Sequence, residues 1–578
     1  MNRWYLAITF LIPHLVGFAQ WRSASLNGQG QVEWESVEVQ KEIPNALARS
    51  KIMVSLMPGY PKAFRADPFF KNFRNVTLAD LDNDGVDEII IGSANMLFVL
   101  KDSTVWWSKK LSGLMRFPAA VGDLDLDSKK ELIICTGYNR EPGHIYVLNA
   151  DGSDREGWPL SFDGRWMLSS PALADIDQDG FLEIICSDLE SSWGHVYILE
   201  ADGSLSNEEW PIILPNIPAV TPSIGDIDGD GEPEIVISST REIYAFDQNA
   251  GIKAGWPFGN GLTKFSFQSP ILYDIDRDGK SEIIGEGHGD QPEFFILNGE
   301  GQYVTNWQKA VPDQRWTFHT PTVINHDGSD YIFTARPISN GASDMLYAWT
   351  GEGTSAPGFP ISKEGGLEGL VTVADVDDDL EPEILFSSNL YDSLGFGFIH
   401  AYELDGSGDI AGFPLRPRGL TFLNGATIGD VDGDKQMDLV VLSYTEHPGS
   451  DSDTTFLSVY NLNVPISVER LWWPTYKGNN LRNGDIEAPK TTSSSAFGSP
   501  MLTCHPNPAE DKLLLELPLG QWRIQLISLD GKICQDVTPA PGVHVHAMQV
   551  ENLLKGIYFL RAISRSGEDA ITHKVILQ

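Results

Sequence analysis

Asp80-Leu-Asp82-Asn-Asp84-Gly85-Val86-Asp87-Glu88 sets three carboxylates at alternate positions, then a glycine, then a further acid. The pattern Asp-x-Asp-x-Asp-Gly-x-x-Glu restarts at Asp123, Asp175, Asp226, Asp274, Asp375 and Asp430, and a decayed copy opens at Asn325. Successive copies stand 43 to 55 residues apart. Calcium, a hard cation, takes six to eight oxygens at about 2.3–2.6 Å, which a short loop supplies only if its backbone turns sharply. The candidate ligands are positions one, three, five, seven and nine of each copy. They are Asp80, Asp82, Asp84, Val86 and Glu88; Asp123, Asp125, Asp127, Lys129 and Glu131; Asp175, Asp177, Asp179, Phe181 and Glu183; and Asp226, Asp228, Asp230, Glu232 and Glu234. The later copies give Asp274, Asp276, Asp278, Lys280 and Glu282; Asp375, Asp377, Asp379, Glu381 and Glu383; and Asp430, Asp432, Asp434, Gln436 and Asp438. A residue such as Val86 or Phe181 can serve only through its main-chain oxygen.

Spacing separates these loops from the EF-hand, whose closing Glu stands at position twelve. Here that place holds Ile91, Ile134, Cys186, Ile237, Gly285, Phe386 and Val441, none able to close a calcium shell. Each loop follows a short apolar stretch, as in Ala172-Leu-Ala-Asp175, and precedes one rich in Ile and Val, as in Glu183-Ile-Ile-Cys186. Such runs, bounded by Gly and Asp, predict buried strands, so the loops are strand-to-strand turns. A third strand (Gly143 to Leu148, Gly194 to Leu199) runs into Asp151-Gly152 or Asp202-Gly203. Asp-Gly there is a hairpin signal, because Gly supplies the positive φ of a tight turn. A fourth element is marked by Gly157-Trp-Pro159, Glu209-Trp-Pro211, Gly255-Trp-Pro257, Gly358-Phe-Pro360 and Gly412-Phe-Pro414. Four short strands recurring at this period predict an all-β propeller. One blade cannot cover both of its faces, so blades stack around an axis with the aromatics between them.

Over roughly residues 55–488 the repeats resemble the FG-GAP or VCBS class of calcium-loop propeller repeat, which includes the integrin α-chain head. The acidic loop carries that resemblance; the FG and GAP tags themselves are poorly kept. Eight motif positions favour eight blades, against seven, the commoner number in the class. Gly59-Tyr-Pro61 and Trp472-Trp-Pro474 both resemble the fourth-strand marker, and one of them is expected to close the last blade.

Residues 1–19 read as a secretory signal peptide, with Arg3, an apolar run from Trp4 to Val16 and Gly17-Phe-Ala19 before the cut. No Cys follows the cut, which argues against a lipid anchor, and no other segment reaches eighteen apolar residues, so a mature chain without a transmembrane segment is expected. Residues 20–54 form an N-terminal extended segment and 489–500 a Ser/Thr-rich linker. Residues 501–578 predict a small β-sandwich. Its landmarks are Pro506-Asn-Pro508, Leu529-Asp-Gly531-Lys532, Gly556-Ile-Tyr-Phe559 and a closing Lys574-Val-Ile-Leu-Gln578. This segment resembles the type A sorting domain of the bacterial type IX secretion system. The resemblance implies a Bacteroidetes-like source, the secretion machinery as partner, and a chain released or held at the outer cell surface.

The formal charge is −39, and seven bound calcium ions would still leave about −25, so nucleic acid is excluded as a partner for want of clustered Lys and Arg. The four cysteines make no disulfide framework. Cys135 and Cys186 lie on equivalent strands one residue out of register, which predicts buried side chains on opposite faces; Cys504 and Cys534 share the C-terminal segment.

Extracellular calcium modules bind at about 0.1–1 mM, so at roughly 1 mM calcium each site adds about 0.4–1.4 kcal/mol, and seven add roughly 3–10 kcal/mol. That is comparable to a whole domain's stability and predicts up to seven structural ions. Position six is Gly85, Gly180, Gly231 and Gly279 in four loops; Ser128, Leu380 and Lys435 replace it in three, where a positive φ is strained and weaker binding is expected. The Asn325 copy is expected to bind nothing.

No motif of a known reaction class appears: no Gly-x-Ser-x-Gly, no His-Glu-x-x-His, no phosphate loop. His144 and His195 repeat in place, which suits a role at strand starts, whereas His288, His319 and His326 are unrepeated around the decayed loop. Trp316 and the Trp106-Trp107 pair could stack on sugar rings, although aromatics at blade edges more often pack. The favoured reading is a secreted or surface-displayed propeller that binds an extracellular glycan or protein in adhesion or capture. The alternative is an extracellular polysaccharide lyase or hydrolase, which requires unrepeated His, Lys, Arg or Tyr over the central channel. A scaffolding component of the surface layer is a third.

Overall fold

In this computed structural model the described residues are 21–485 apart from 27–31, 38–53, 68–70, 139–140, 219, 266, 311–318, 337–341, 365–366 and 446–452. Toward the C-terminus they are 503–577 apart from 506–511, 517–521, 529–531, 539–544, 551–552, 554 and 565–569. The signal peptide, the linker 489–500, Trp316 and the Pro506-Asn-Pro508 landmark lie outside them. The chain divides into two units, Met1–Ser495 and Ala496–Gln578.

Among the described residues of the first unit, eight antiparallel sheets follow one another along the chain, each with an acidic-loop position between its first two strands. Sheet one is typical: Val76–Ala79, Glu88–Ser93, Met96–Lys101 and Thr104–Lys110. Its first strand pairs Val76 to Ile91, the second pairs Ile89 to Leu100, and the third pairs Met96 to Lys110. Ile89, Ile90 and Ile91 are all 0% exposed, because both faces of this strand are covered by neighbouring blades. That explains an uninterrupted apolar run in place of alternation; each such side chain contributes about 1.5–3 kcal/mol on burial. The apolar clusters accordingly straddle blade pairs. One joins Ile90 and Val99 to Val121 and Tyr146, and another joins Ile145 and Val147 to Ile184 and Tyr197.

Aromatics at the fourth-strand place tie six of the eight blades to the next by one bond as well as by packing; Phe359 and Phe413 of blades six and seven have no such donor. The indole N–H groups of Trp107, Trp158, Trp210, Trp256 and Trp307 donate to Ala150, Ala201, Gln248, Gly299 and Gly351 oxygens, all at 2.8–3.0 Å. Tyr60 makes the matching bond from its hydroxyl to Asp102 O, at 2.9 Å, across the seam between the last blade and the first. Trp107 is therefore half-buried packing, and its neighbour Trp106 is 39% exposed.

Of the two candidate closing segments, the N-terminal one fills the fourth place of the last blade. Lys62–Arg65 pairs with Leu457–Thr454 of the long strand Thr454–Pro465, so the ring has eight blades. Trp472-Trp-Pro474 does something else. Leu471–Trp473 pairs with the innermost strand of blade seven, Val371–Ala374, and the chain then threads the channel as far as Asp485. Backbone N–H groups of Ile428, Val121, Leu173, Ile224 and Leu272 donate to oxygens of Pro474, Asn480, Leu481, Asn483 and Gly484 at 2.8–3.1 Å. Arg482, fully buried, donates to oxygens of Ala119, Thr475, Tyr476, Asn479 and Thr77. Lys477, also buried, reaches Pro222 O at 2.6 Å and Ser223 Oγ at 2.7 Å.

Residues Trp21–Leu26 and Val32–Val37, within the segment read as extended, form a hairpin whose first strand pairs with Leu390–Tyr391. Cys135 and Cys186 share one apolar cluster, and the Cys186 thiol is pushed up first by Cys135 and then by burial. The one-residue offset does place them on opposite faces of their own sheets, but those are the faces that meet between blades two and three.

The second unit has two sheets around an apolar core that includes Leu513, Leu515, Ile524, Leu526, Leu560 and Val575. Cys534 is a free thiol there, and the Cys504 side chain lies outside the described set.

Candidate metal centres

The seven loops share one scaffold. Position nine accepts the N–H of position two in every copy: Glu88 from Leu81, Glu131 from Leu124, Glu183 from Ile176, Glu234 from Ile227, Glu282 from Ile275, Glu383 from Val376 and Asp438 from Val431, at 2.7–3.0 Å. Position one accepts the N–H of position six, from Gly85 at 3.0 Å through Leu380 at 3.1 Å to Lys435 at 3.0 Å. Position five accepts the N–H of position seven, as in Val86 to Asp84, Lys129 to Asp127, Phe181 to Asp179 and Gln436 to Asp434. One carboxylate oxygen of position nine is thus spoken for, and the other faces the loop. In Glu88, Glu183, Glu383 and Asp438 that second oxygen is buried without a hydrogen-bond partner, although Lys101 approaches that of Glu88 at 3.4 Å.

The carboxylates converge. Asp80, Asp82 and Glu88 place one oxygen each within 4.8 Å of one another, as do Asp274, Asp276 and Glu282, and the leading aspartates of the Asp123, Asp175 and Asp226 loops. Burial first, then neighbouring charge, raises the closing acids: Glu183 to about 8, Asp438 to about 8, Glu383 to about 10, and Glu88 and Glu282 to about 7. Oxygen-only donors, several of them buried and unsatisfied, fit a hard divalent cation and not a thiophilic one.

Position six keeps a positive φ whatever the residue, 67° at Ser128, 74° at Leu380 and 63° at Lys435 beside 90° at Gly85. Substitution therefore stores strain without reshaping the turn. Position four also demands positive φ, at Asn83, Leu126, Gln178, Arg277 and Asp378, a need that the glycine pattern alone did not reveal. At the decayed copy the turn lies between Thr322–His326 and Ser329–Ala335, and Asp330 is held by Arg277 at 2.8 Å and Tyr273 at 2.5 Å.

The unrepeated histidines do not form one group. His326 meets Glu381 at 3.0 Å on the acidic-loop side, and His319 lies at the other end of the same strand. There His319 is 0% exposed with Nδ1 3.3 Å from Glu286, and Arg336 approaches the same carboxylate at 3.9 Å. His288 is buried in the same neighbourhood, and burial lowers it to about 4. His144 and His195, equivalent in sequence, differ: His144 meets Pro142 O, whereas buried His195 meets Asp188 at 2.9 Å, as does Tyr197 at 2.6 Å.

Residues 123–186 match the model of the FG-GAP-like repeat, and residues 503–578 match that of the secretion system C-terminal sorting domain. The chain is an exported β-propeller. Its tail addresses this propeller to the type IX machinery and so to the cell surface or the extracellular space. Among the described residues no helix is long and apolar enough to cross a membrane. A comparison with curated proteins returned no match. Similar solved structures include the V. cholerae biofilm matrix protein Bap1 (14% identity, 75% of this chain and 96% of that one, TM-score 0.36). Another is PorZ, a surface component of the type IX secretion system of Porphyromonas gingivalis (10% identity, 96% and 90%, TM-score 0.23). A third is quinohemoprotein alcohol dehydrogenase of Comamonas testosteroni (12% identity, 72% and 77%, TM-score 0.41).

Proposed function

We propose that the propeller is a calcium-stabilised module that binds an extracellular glycan or protein. The calcium half rests on one observation: closing acids buried at 0–1% exposure, tied by one oxygen and aimed by the other into a loop of converging aspartates. A buried carboxylate in this state is costly until a cation meets it.

The binding half rests on the layout of the ring. Residues 471–485 run along the inner strands of the ring, which leaves its outer ends as the surfaces a ligand would meet. The end of blade one opposite its acidic loop holds a pocket of about 600 Å³ lined by Arg65, Asp67, Ser93, Asn95, Lys110 and Ser112 among others. Charged and amide groups of both donor and acceptor type suit a hydroxylated or acidic sugar.

The test incubates the exported chain with a panel of soluble polysaccharides, with calcium or chelator, and scores retention and new chain ends. Retention that is lost in an Arg65→Ala/Lys110→Ala variant supports binding at this pocket. New chain ends would replace it with the enzyme reading, and silence in both channels would remove glycans as the ligand class.

A further inference from the structure

Three of the seven loops already contain a cation. Lys101 Nζ lies 2.6 Å from Asp84 and 3.4 Å from Glu88, and it also bonds Asp82. Arg155 bridges Asp125 at 2.9 Å and Glu131 at 3.4 Å. Lys253 Nζ bridges Asp228 at 2.7 Å and Glu234 at 2.7 Å. In each case a basic side chain of the same blade joins position three to position nine, the two positions a bound ion would have to join. Among the described residues no Lys or Arg does so in the other four loops. Arg470 comes nearest, meeting Asp375 and Asp378 but not Asp377 or Glu383.

The fold explains where these cations originate. Position nine faces, across the second and third strands, the residue after the last apolar one of the third strand. Glu88 faces Lys101 there, since Ile89 pairs with Leu100. The matching residues are Glu200 opposite Glu183, Glu403 opposite Glu383 and Asn461 opposite Asp438. Mutual repulsion acts on two of them: Glu200 and Glu403 are raised by burial and then by the aspartates of their own loops. Arg155 and Lys253 share another place, three residues before Trp158 and Trp256, with their N–H groups on Val147 O and Ala245 O. Blade seven puts Ile410 there, its N–H on Ala401 O. An acid, Asp247, also faces Glu234 in blade four, so the loops are sorted by whether a base stands at either of these two places and not by the facing residue alone.

We propose that the loops at Asp80, Asp123 and Asp226 are closed by Lys101, Arg155 and Lys253 in place of a metal ion, so that only those at Asp175, Asp274, Asp375 and Asp430 take a divalent ion. This rests on the calcium reading above. It inverts the ranking from position six: two loops with glycine there lose their ion, and the loops with Leu380 and Lys435 keep theirs. An ammonium with three donors, or the forked guanidinium of Arg155, stands among the converging carboxylates, where a metal would have to displace it.

Counting ions on the full-length chain by native mass spectrometry and by equilibrium dialysis with calcium tests this without any variant. The expected number is four. Lys101→Gln and Lys253→Gln should each raise it by one, and Asp177→Asn and Asp432→Asn should each lower it by one, in chains that still unfold cooperatively. Seven ions in the wild type, or no gain in either lysine variant, overturns the proposal and leaves the calcium reading standing. No ions in any chain overturns both.

Discussion

The loops that open at Asp226 and Asp375 carry the same acids at positions one, three, five, seven and nine, yet they resolve their charge in different ways. The first has Gly231 at its turn and Lys253 between Asp228 and Glu234. The second has Leu380 at φ 74° and Glu403 facing Glu383, as Asp247 faces Glu234 in the first, while its one base, Arg470, meets Asp375 and Asp378 and not Glu383. On the proposal above, the motif that looks stronger by its glycine has less need of an ion. What separates the two loops is then a basic side chain bridging positions three and nine, not ligand count or the turn residue.

The largest effect expected is from withdrawing calcium. With four sites at roughly 1 mM calcium, chelation should cost about 2–6 kcal/mol of unfolding free energy, read from denaturant curves of the exported chain. A loss below about 1 kcal/mol would end the distinction between the two loop types.

Next comes a pair of neutralising changes. Glu234→Gln takes from Lys253, whose side chain is 16% exposed, one of the two acids it bridges and leaves Asp228, and should destabilise by about 1–3 kcal/mol with or without calcium. Glu383→Gln should cost little under chelation, because the acid it replaces is raised to about 10 and already protonated at neutral pH, but should abolish one site's share of the calcium response. Equal behaviour of the two variants in both buffers would break the comparison.

The pH response has a definite sign. Glu183, Asp438 and Glu383 have folded values of about 8, 8 and 10, above their unfolded values near 4. The stability they contribute is complete below about pH 4 and is lost as pH rises toward 8, by up to about 1.4 kcal/mol per pH unit per group. Calorimetry under chelation should therefore give a lower melting temperature at pH 8 than at pH 5, and saturating calcium should shrink or reverse the gap. The smallest effect is expected from Leu380→Gly, which relieves a left-handed leucine and should stabilise by up to about 1 kcal/mol in either buffer.

Much of this was legible in sequence because one motif fixed strand, turn and period together. The eight blades, the position-nine closure and the sorting tail all follow from residues close to one another in the chain. What was not legible depends on distant partners. Two aromatic-proline segments looked alike, and only pairing with Thr454–Leu457 distinguishes the one that completes the last blade. Lys101 and Lys253 lie about 20 residues from the acids they meet, on another strand, so the nine-residue window does not contain them. Cys135 and Cys186 were correctly given opposite faces, yet which faces touch is a property of the ring. His326 and His319 are close in number and apart in space because an extended strand separates them.

Residues 471–485 have a consequence for the order of assembly. The thread in the channel bonds to the inner strands of blades eight, two, three, four and five, while the strand that completes the last blade lies some 390 residues earlier in the chain. Neither end of the ring can be finished locally, and pairings of such long range are slow to form. The domain is completed only when its last fifteen residues arrive, which suits a polypeptide that has to cross one compartment before it settles in another.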